Sequence, residues 1–237
     1  MKHTVDYFVK NDCYAKGDPL TPKGIVIHST AAPGIKAAAW KARWNKSYKA
    51  GETSRKACTH AFVDDEGSVQ ALPWNMRGWH AGSGKKGTLN DTHIGIEMCE
   101  PAGAVYNKNC TAFAKYDVAA LAPYFARVWD NTVELAASLC VQFSLDPTAD
   151  GVILCHQEGA RRQIASNHAD VFHWFPKHGK SMDDFRQAVK SKMAEMTSPV
   201  EKKYYRVQVG AFTKKANADA LLTKLKADGY NGYIKHD

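Results

Sequence analysis

Between Val152 and Gly179 the chain reads VILCHQEGARRQIASNHADVFHWFPKHG and holds four of its ten histidines, His156, His168, His173 and His178. Imidazole and carboxylate together form a donor set that zinc takes, and a catalytic zinc keeps three protein ligands and one position open for water. Apolar residues 152–154 predict a short buried strand with His156 at its carboxyl end, and the polar stretch after it predicts a loop. A loop that returns His168 and Asp170 beside a strand-end histidine would bring nitrogen and oxygen donors together. The segment supplies at most two ligands, so a third must come from elsewhere. His28 closes the apolar run Gly24-Ile25-Val26-Ile27 and is placed to provide it. Taken alone, His28 is more simply a histidine satisfied at a strand end.

The elements that must position these groups follow from periodicity. Ile35 to Tyr48 is helical, with Trp40 and Trp44 one turn apart on one face, a spacing more typical of core than of a sugar platform. Cys58–Val63 and Ser68–Leu72 are strands joined by Asp64-Asp65-Glu66-Gly67, a hairpin signal whose acidic residues lack the spacing of a calcium loop and read as a solvated turn. Residues 73–93 are rich in Gly, Asn, Ser and Lys and read as a long loop of the kind that carries binding residues. Ile94-Gly95-Ile96-Glu97-Met98 is a strand with a carboxylate in an apolar run, costly unless Glu97 is paired, functional or turned outward. Asp117 to Phe143 is a long amphipathic helix, with Pro123 expected in its first turn or marking its true start. Ser181 resembles an N-cap with acidic residues behind it, opening a helix to about Met193.

GIVIHST at 24–30, THAFVDDEGSVQALP at 59–73, IGIEMCEP at 94–101 and the CH…NHADVFHW segment, in that order, resemble the zinc-dependent type 2 N-acetylmuramoyl-L-alanine amidases. That family includes autolysins and phage endolysins and is related to the peptidoglycan recognition proteins; the resemblance spans roughly residues 20–180. Several separated motifs in one order are far more specific than any one of them. The resemblance implies an α/β fold with a central mixed β-sheet flanked by helices, and Zn²⁺ held by His28, His156 and Asp170. It implies that Glu97 orients, or deprotonates, the attacking water. A Lys or His two residues before the third ligand stabilises the oxyanion in this family, which gives His168 that role and Asp170 the metal. His173 offers another nitrogen and is the alternative third ligand. Trp79-His80-Ala81-Gly82 matches the family's substrate-cleft segment, so Trp79 and His80 are expected to line the cleft. Arg161 is expected either to meet substrate carboxylates or only to solvate its loop.

The implied reaction is hydrolysis of the amide between N-acetylmuramic acid and L-alanine, with the muropeptide stem and glycan strand of peptidoglycan as partner. The competing reading is a non-catalytic peptidoglycan-binding protein of the recognition type, which typically lacks a complete ligand set. A formal charge of +8 suits any polyanion. No zinc knuckle, helix-turn-helix or aromatic-basic strand points to nucleic acid. No apolar run reaches the roughly 18 residues of a membrane span, and MKHTVDYFVKND has no apolar core of a signal peptide. Synthesis in the cytoplasm and action on the wall after release, as for a phage or prophage endolysin, is the expectation, with the chain a monomer. Six cysteines without a CxxC pair read as free thiols.

The expected division is a catalytic domain over 1–194, a linker over 195–203 around Ser198-Pro199, and a small β-α-β segment over 204–237. In that last part Tyr205–Phe212 alternates as a strand, Asn217–Asp228 is helical and Tyr230–Lys235 is a second strand. YRVQVGAF and NADALLTKL resemble the first half of a SPOR domain, a module that binds glycan strands. Residues 198–237 carry eight Lys/Arg against four Asp/Glu, a surplus suited to an anionic surface.

Overall fold

A strand that pairs on both edges and packs on both faces must be apolar nearly throughout, and Gly24–Ser29 is buried at every position. In the computed structural model, which describes residues 1–198 and 207–236, this strand lies near one edge of a six-stranded sheet. The elements run β1 (Lys2–Val5), α1 (Asp12–Lys16), β2 (Gly24–Ser29), α2 (Trp40–Trp44), β3 (Ala61–Val63), β4 (Gly67–Gln70) and β5 (His93–Met98). They continue with β6 (Val105–Tyr106), β7 (Phe113–Lys115), α3 (Val118–Phe143), β8 (Ile153–Cys155), α4 (His156–Arg161), α5 (Met182–Thr197) and α6 (Lys215–Ala227). The sheet order is β1-β4-β3-β5-β2-β8, and every pairing is parallel except the β3–β4 hairpin. This is the mixed sheet with flanking helices that the sequence predicts.

Side chains alternate across a strand, and here the alternation assigns the two faces different tasks. Ile25, Ile27, Ile94, Ile96, Ile153 and Cys155 join the main core, which α3 closes with Phe125, Val128, Trp129, Val133 and Leu139, and α5 with Phe185 and Val189. Val26 and Leu154 pack on the other face with Ala81, Leu89 and Ala165. His28, Glu97 and His156 are one even step along from these, so they belong to this second face, at the carboxyl ends of their strands. Trp40 and Trp44 both pack on Phe62, at 4.9 and 5.3 Å between ring centroids, and so are core as expected.

Some expectations need correction. The Asp64 carboxylate is buried and accepts N–H groups of Ala37, Glu66 and Gly67 at 2.8, 2.8 and 3.1 Å. Asp65 pairs with Lys36 and Arg127. The acidic turn is therefore a structural tie rather than a solvated loop. Helix α3 begins at Val118, capped by Asp117, whose carboxylate accepts from the Ala120 N–H at 3.1 Å. Pro123 consequently lies in the second turn, where its ring is exposed and one helical hydrogen bond is forgone. Helix α5 runs on to Thr197, past its expected end, from a Ser181–Asp184 capping box. Strand β1 and the small β6–β7 hairpin had no sequence signal.

The chain divides into two compact units, Met1–Ser198 and Pro199–Asp237. Of the expected linker, residues 195–197 belong to α5 and 199–203 lie outside the described residues. In the second unit α6 forms close to its expected place. No strand forms among residues 207–212 or 230–235, although Gly210 and Gly232 back onto Leu221 and Leu222 of the helix. Among the described residues the helix of the expected unit is present and strand pairing is not; residues 204–206 lie outside the described residues. Val207 is 87 % exposed and Tyr233 68 %, and a two-stranded ladder of this size is marginal by itself.

Candidate metal centre

Neighbouring strands deliver the two histidines. Ile27 of β2 is in register with Cys155 of β8, so His28 and His156, the next residues on each, emerge side by side. The segment after β8 is not the expected loop but the short helix α4, with His156 as its first residue. Glu158 causes this: its carboxylate accepts the Cys155 N–H at 3.0 Å and is gripped by Arg186 of α5 at 2.6 and 2.7 Å. Arg186 also donates to the Ile153 carbonyl at 2.9 Å, which fastens the end of β8. Beyond α4 the chain turns back, and Asp170 completes a triangle. His28 Nδ1 lies 3.1 Å from both His156 Nδ1 and Asp170 Oδ2, and the third side is 3.8 Å.

Donors held at the usual zinc distances around a tetrahedral ion stand about 3.3 Å apart. Two nitrogens and one carboxylate oxygen at 3.1, 3.1 and 3.8 Å therefore fit zinc in both chemistry and spacing. Among the described residues this is the one such cluster of His, Cys, Asp and Glu. The other ring nitrogens are occupied by the protein. His28 Nε2 lies 3.0 Å from His80 Nδ1, and His80 Nε2 lies 3.1 Å from the His93 carbonyl. With Nδ1 of His28 turned to a metal, its Nε2–H donates to His80, and His80 Nε2–H to the carbonyl. His156 Nε2 meets Ser166 Oγ at 3.1 Å. Such outer contacts fix the tautomer and ring orientation of metal ligands.

His80, expected in the cleft, is half-buried, with both ring nitrogens on protein partners. Gly95 makes the room: a Cβ there would sit 2.5 Å from the His80 ring. Trp79 packs half-buried on an apolar cluster of Cys13, Cys58 and Leu72, its backbone bridged to Cys58 at 2.8 and 3.1 Å. His173 is not at the triangle. Its Nε2 meets the Tyr106 hydroxyl at 2.7 Å and Glu100 Oε1 at 3.3 Å. His168 is exposed, its ring 4.3 Å from that of His156, and its Nδ1 is 3.2 Å from Ser166 Oγ. Arg161 lies with its guanidinium 5.0 Å from the Phe172 ring centroid, beside a polar hollow of about 310 Å³ lined by Gln157, Ala160, Ala165 and Asn167. Its neighbour Arg162 is instead tied to Asp150 at 2.5 and 3.0 Å.

Burial and charge set the site's protonation. Glu97 is the register partner of His28, and burial pushes its carboxyl up to about 7, with Asp170 and Glu100 adding to the rise and His28 opposing it. Burial and the charge of His28 together bring His156 down to about 3, against an opposing pull from Asp170. Burial would lower His28 too, but its bond to Asp170 and the charges of Glu97 and Asp170 outweigh this and raise it. Burial raises the Asp170 carboxyl, yet the bond and charge of His28 bring it below its ordinary value. Ser166, Glu100, Tyr106 and Arg186 were missed from the sequence. Only Glu158, three residues beyond Cys155, carried a readable capping signal.

Residues 18–173 match the N-acetylmuramoyl-L-alanine amidase family, Amidase_2, and residues 201–237 match the SPOR domain. The N-acetylmuramoyl-L-alanine amidase CwlA of a Bacillus species is 31 % identical over 130 residues, 53 % of this chain and 41 % of that protein. XlyA of Bacillus subtilis strain 168, of the same name, is 40 % identical over 101 residues, 42 % of this chain and 32 % of that protein. The matches thus span well under half the length of these relatives. The Staphylococcus aureus hydrolase AmiA, solved in complex with its ligand, superposes with a TM-score of 0.59 at 20 % identity, covering 83 % of this chain and 85 % of that one. The catalytic domain of XlyA superposes with a TM-score of 0.54 at 24 % identity, covering 80 % and 99 %. At these identities the likeness is one of fold.

Proposed function

The chain belongs to the N-acetylmuramoyl-L-alanine amidase family, and from that premise we propose that it is a zinc hydrolase cutting the amide between N-acetylmuramic acid and L-alanine in peptidoglycan, acting as a phage or prophage endolysin on the wall after release from the cytoplasm. The observation that carries the reading is the His28–His156–Asp170 triangle with the buried Glu97 beside it. When bound there, zinc supplies Lewis-acid chemistry, lowering the pKa of a water and polarising an amide carbonyl.

The residues divide the remaining work. Glu97 Oε2 is buried with no partner among the protein atoms, so it is the free acceptor that takes a proton from the attacking water. Returned to the amide nitrogen, that proton lets L-alanine leave as an amine while the lactyl carbonyl keeps the oxygen as a carboxylate. His168 presents the edge not engaged by Ser166 and donates Nε2–H to the carbonyl oxygen as charge develops on it. His80 and Ser166 hold the two ligand rings. Arg161, cushioned on Phe172, meets a substrate carboxylate at the neighbouring hollow. Digesting purified cell walls and identifying the new termini by mass spectrometry tests the reading: free L-alanine amino termini support it, and new reducing sugar ends or cuts within the peptide overturn it.

The second unit is a wall-targeting segment in this proposal, with the catalytic domain ending before residue 199. Residues 1–198 will cleave small soluble muropeptides as the full chain does, because the triangle and its supports all lie within them. On intact sacculi the truncated protein will bind more weakly, since a tethered second contact supplies effective concentration. The difference will shrink at high salt to the extent that it comes from charge. Sacculus binding that is equal with and without residues 199–237, at low and high salt, removes the targeting role.

A further inference from the structure

His28 stands on β2 and His156 follows directly on β8, so the β2–β8 ladder fixes both, whereas Asp170 lies on a segment outside the sheet. A ligand so placed needs an anchor of its own if the triangle is to keep its dimensions. Backbone contacts give part of one, through the Gln157 N–H to the Asp170 carbonyl at 3.2 Å. Three residues beyond Asp170 the same segment carries His173, and three residues beyond Glu97, just past β5, the chain carries Glu100, with no exposed surface at all. These two meet. Glu100 Oε1 lies 3.3 Å from His173 Nε2 and accepts the Tyr106 hydroxyl at 2.6 Å, while the hydroxyl lies 2.7 Å from His173 Nε2. Phe113 closes over the group, its ring 4.9 Å from that of His173 and 4.8 Å from that of Tyr106. The β6–β7 hairpin, which carries Tyr106 and Phe113, thus covers the trio.

We propose that Glu100, Tyr106 and His173 are positioning residues, a buried clamp that sets Asp170 against Glu97 and so tunes the affinity and geometry of the metal centre. The inference rests on the zinc reading above. An apolar trio of the same volume would serve stability as well or better, because a buried charged group is costly to desolvate. The polar trio therefore needs a reason beyond packing, and its surroundings supply one. Three buried side-chain polar atoms of this neighbourhood have no hydrogen-bond partner in the protein, Glu97 Oε2, Glu100 Oε2 and His173 Nδ1, and the Tyr106 hydroxyl also bonds to Ser29, the residue after His28. These three atoms belong to the end of β5, the residues just past it and the Asp170 segment. The trio is close enough to the metal site for the Asp170 charge to act on the Tyr106 hydroxyl. Glu100 also ties in the loop after His28, its carbonyl accepting the Gly34 N–H at 2.9 Å.

Zinc dissociation constants measured on the full chain by competition with a chromophoric chelator test this, together with the visible spectrum of the cobalt(II)-loaded protein. His173→Ala and Glu100→Gln will weaken zinc binding about 10–100-fold, the scale of lost outer contacts in metal sites, and will shift the cobalt bands. His173→Gln, whose amide nitrogen reaches the place of Nε2, will recover most of the affinity. Tyr106→Phe, which removes only the hydroxyl, will weaken binding and shift the bands in the same direction, and it decides the matter if an alanine variant fails to fold. Melting temperatures of the metal-free proteins read stability separately. A fall in those temperatures with zinc affinity and cobalt spectrum unchanged in Tyr106→Phe and Glu100→Gln overturns the clamp and leaves a structural cluster. A wild-type chain that binds neither ion overturns the metal reading and this inference together, whereas unchanged variants of a zinc-binding wild type overturn this inference alone.

Discussion

His28→Ala and His156→Ala will each abolish stoichiometric zinc binding and reduce wall cleavage to background. Losing a contact one layer out typically costs a metal site 10–100-fold in affinity, so losing one of only three protein donors will cost more than about 100-fold. The effect is largest at His28, which sits 3.1 Å from both other donors and so joins the two longer-separated corners of the triangle. Zinc binding will also strengthen as pH rises. Asp170 and Glu97 favour the proton on His28, a ligand must lose that proton to bind, and raising the pH removes it. Equilibrium dialysis with metal analysis, across pH 5.5 to 8, checks both statements. Full activity in a chelator-treated, metal-free wild type would end the zinc reading.

Where residues repeat a period, the sequence was enough to place them. β2 and β5 are continuous apolar runs because they are buried on both faces, and α3 shows its stripe over 26 residues. The donors themselves were visible because His28 and His156 close apolar runs. What the sequence hid depends on partners far along the chain. Helix α4 forms where a loop was expected because Arg186, 28 residues beyond Glu158, grips its first turn. Whether His80 faces the cleft or supports His28 is decided by the missing side chain of Gly95, on a different strand. Asp64 reads as a solvated turn residue until the Ala37 N–H arrives from 27 residues earlier. Glu100 carried no signal of its own, and its burial is met at Oε1 by Tyr106 and His173. In the tail the alternation over 207–212 is real, but a strand exists only when a neighbour accepts its hydrogen bonds.

Glu97→Gln and His168→Ala will leave zinc in place and remove turnover, and pH will tell the two apart. Neither side chain belongs to the triangle, so metal content stays near that of the wild type. Removing one donor to a developing oxyanion costs about 10²–10³ in kcat, the loss expected of His168→Ala. Glu97→Gln loses the proton acceptor, worth about 10²–10⁴. Burial pushes the Glu97 carboxyl up to about 7, and a base works only when deprotonated. Wild-type kcat/KM will therefore rise with pH through an acid limb at or below 7, because a cation beside the carboxyl draws its value down from there. Glutamine does not titrate, so that limb will be missing from the residual activity of Glu97→Gln and retained in His168→Ala. Position explains why no other carboxylate substitutes: Glu97 faces His28 across the β2–β5 ladder, while Glu100 is turned into its pair with Tyr106 and His173. Steady-state rates on a soluble muropeptide between pH 5 and 9, with zinc content measured in each variant, decide it. An acid limb unchanged in Glu97→Gln would assign the proton transfer to another group. Release of zinc by His168→Ala would make His168 a ligand in place of Asp170.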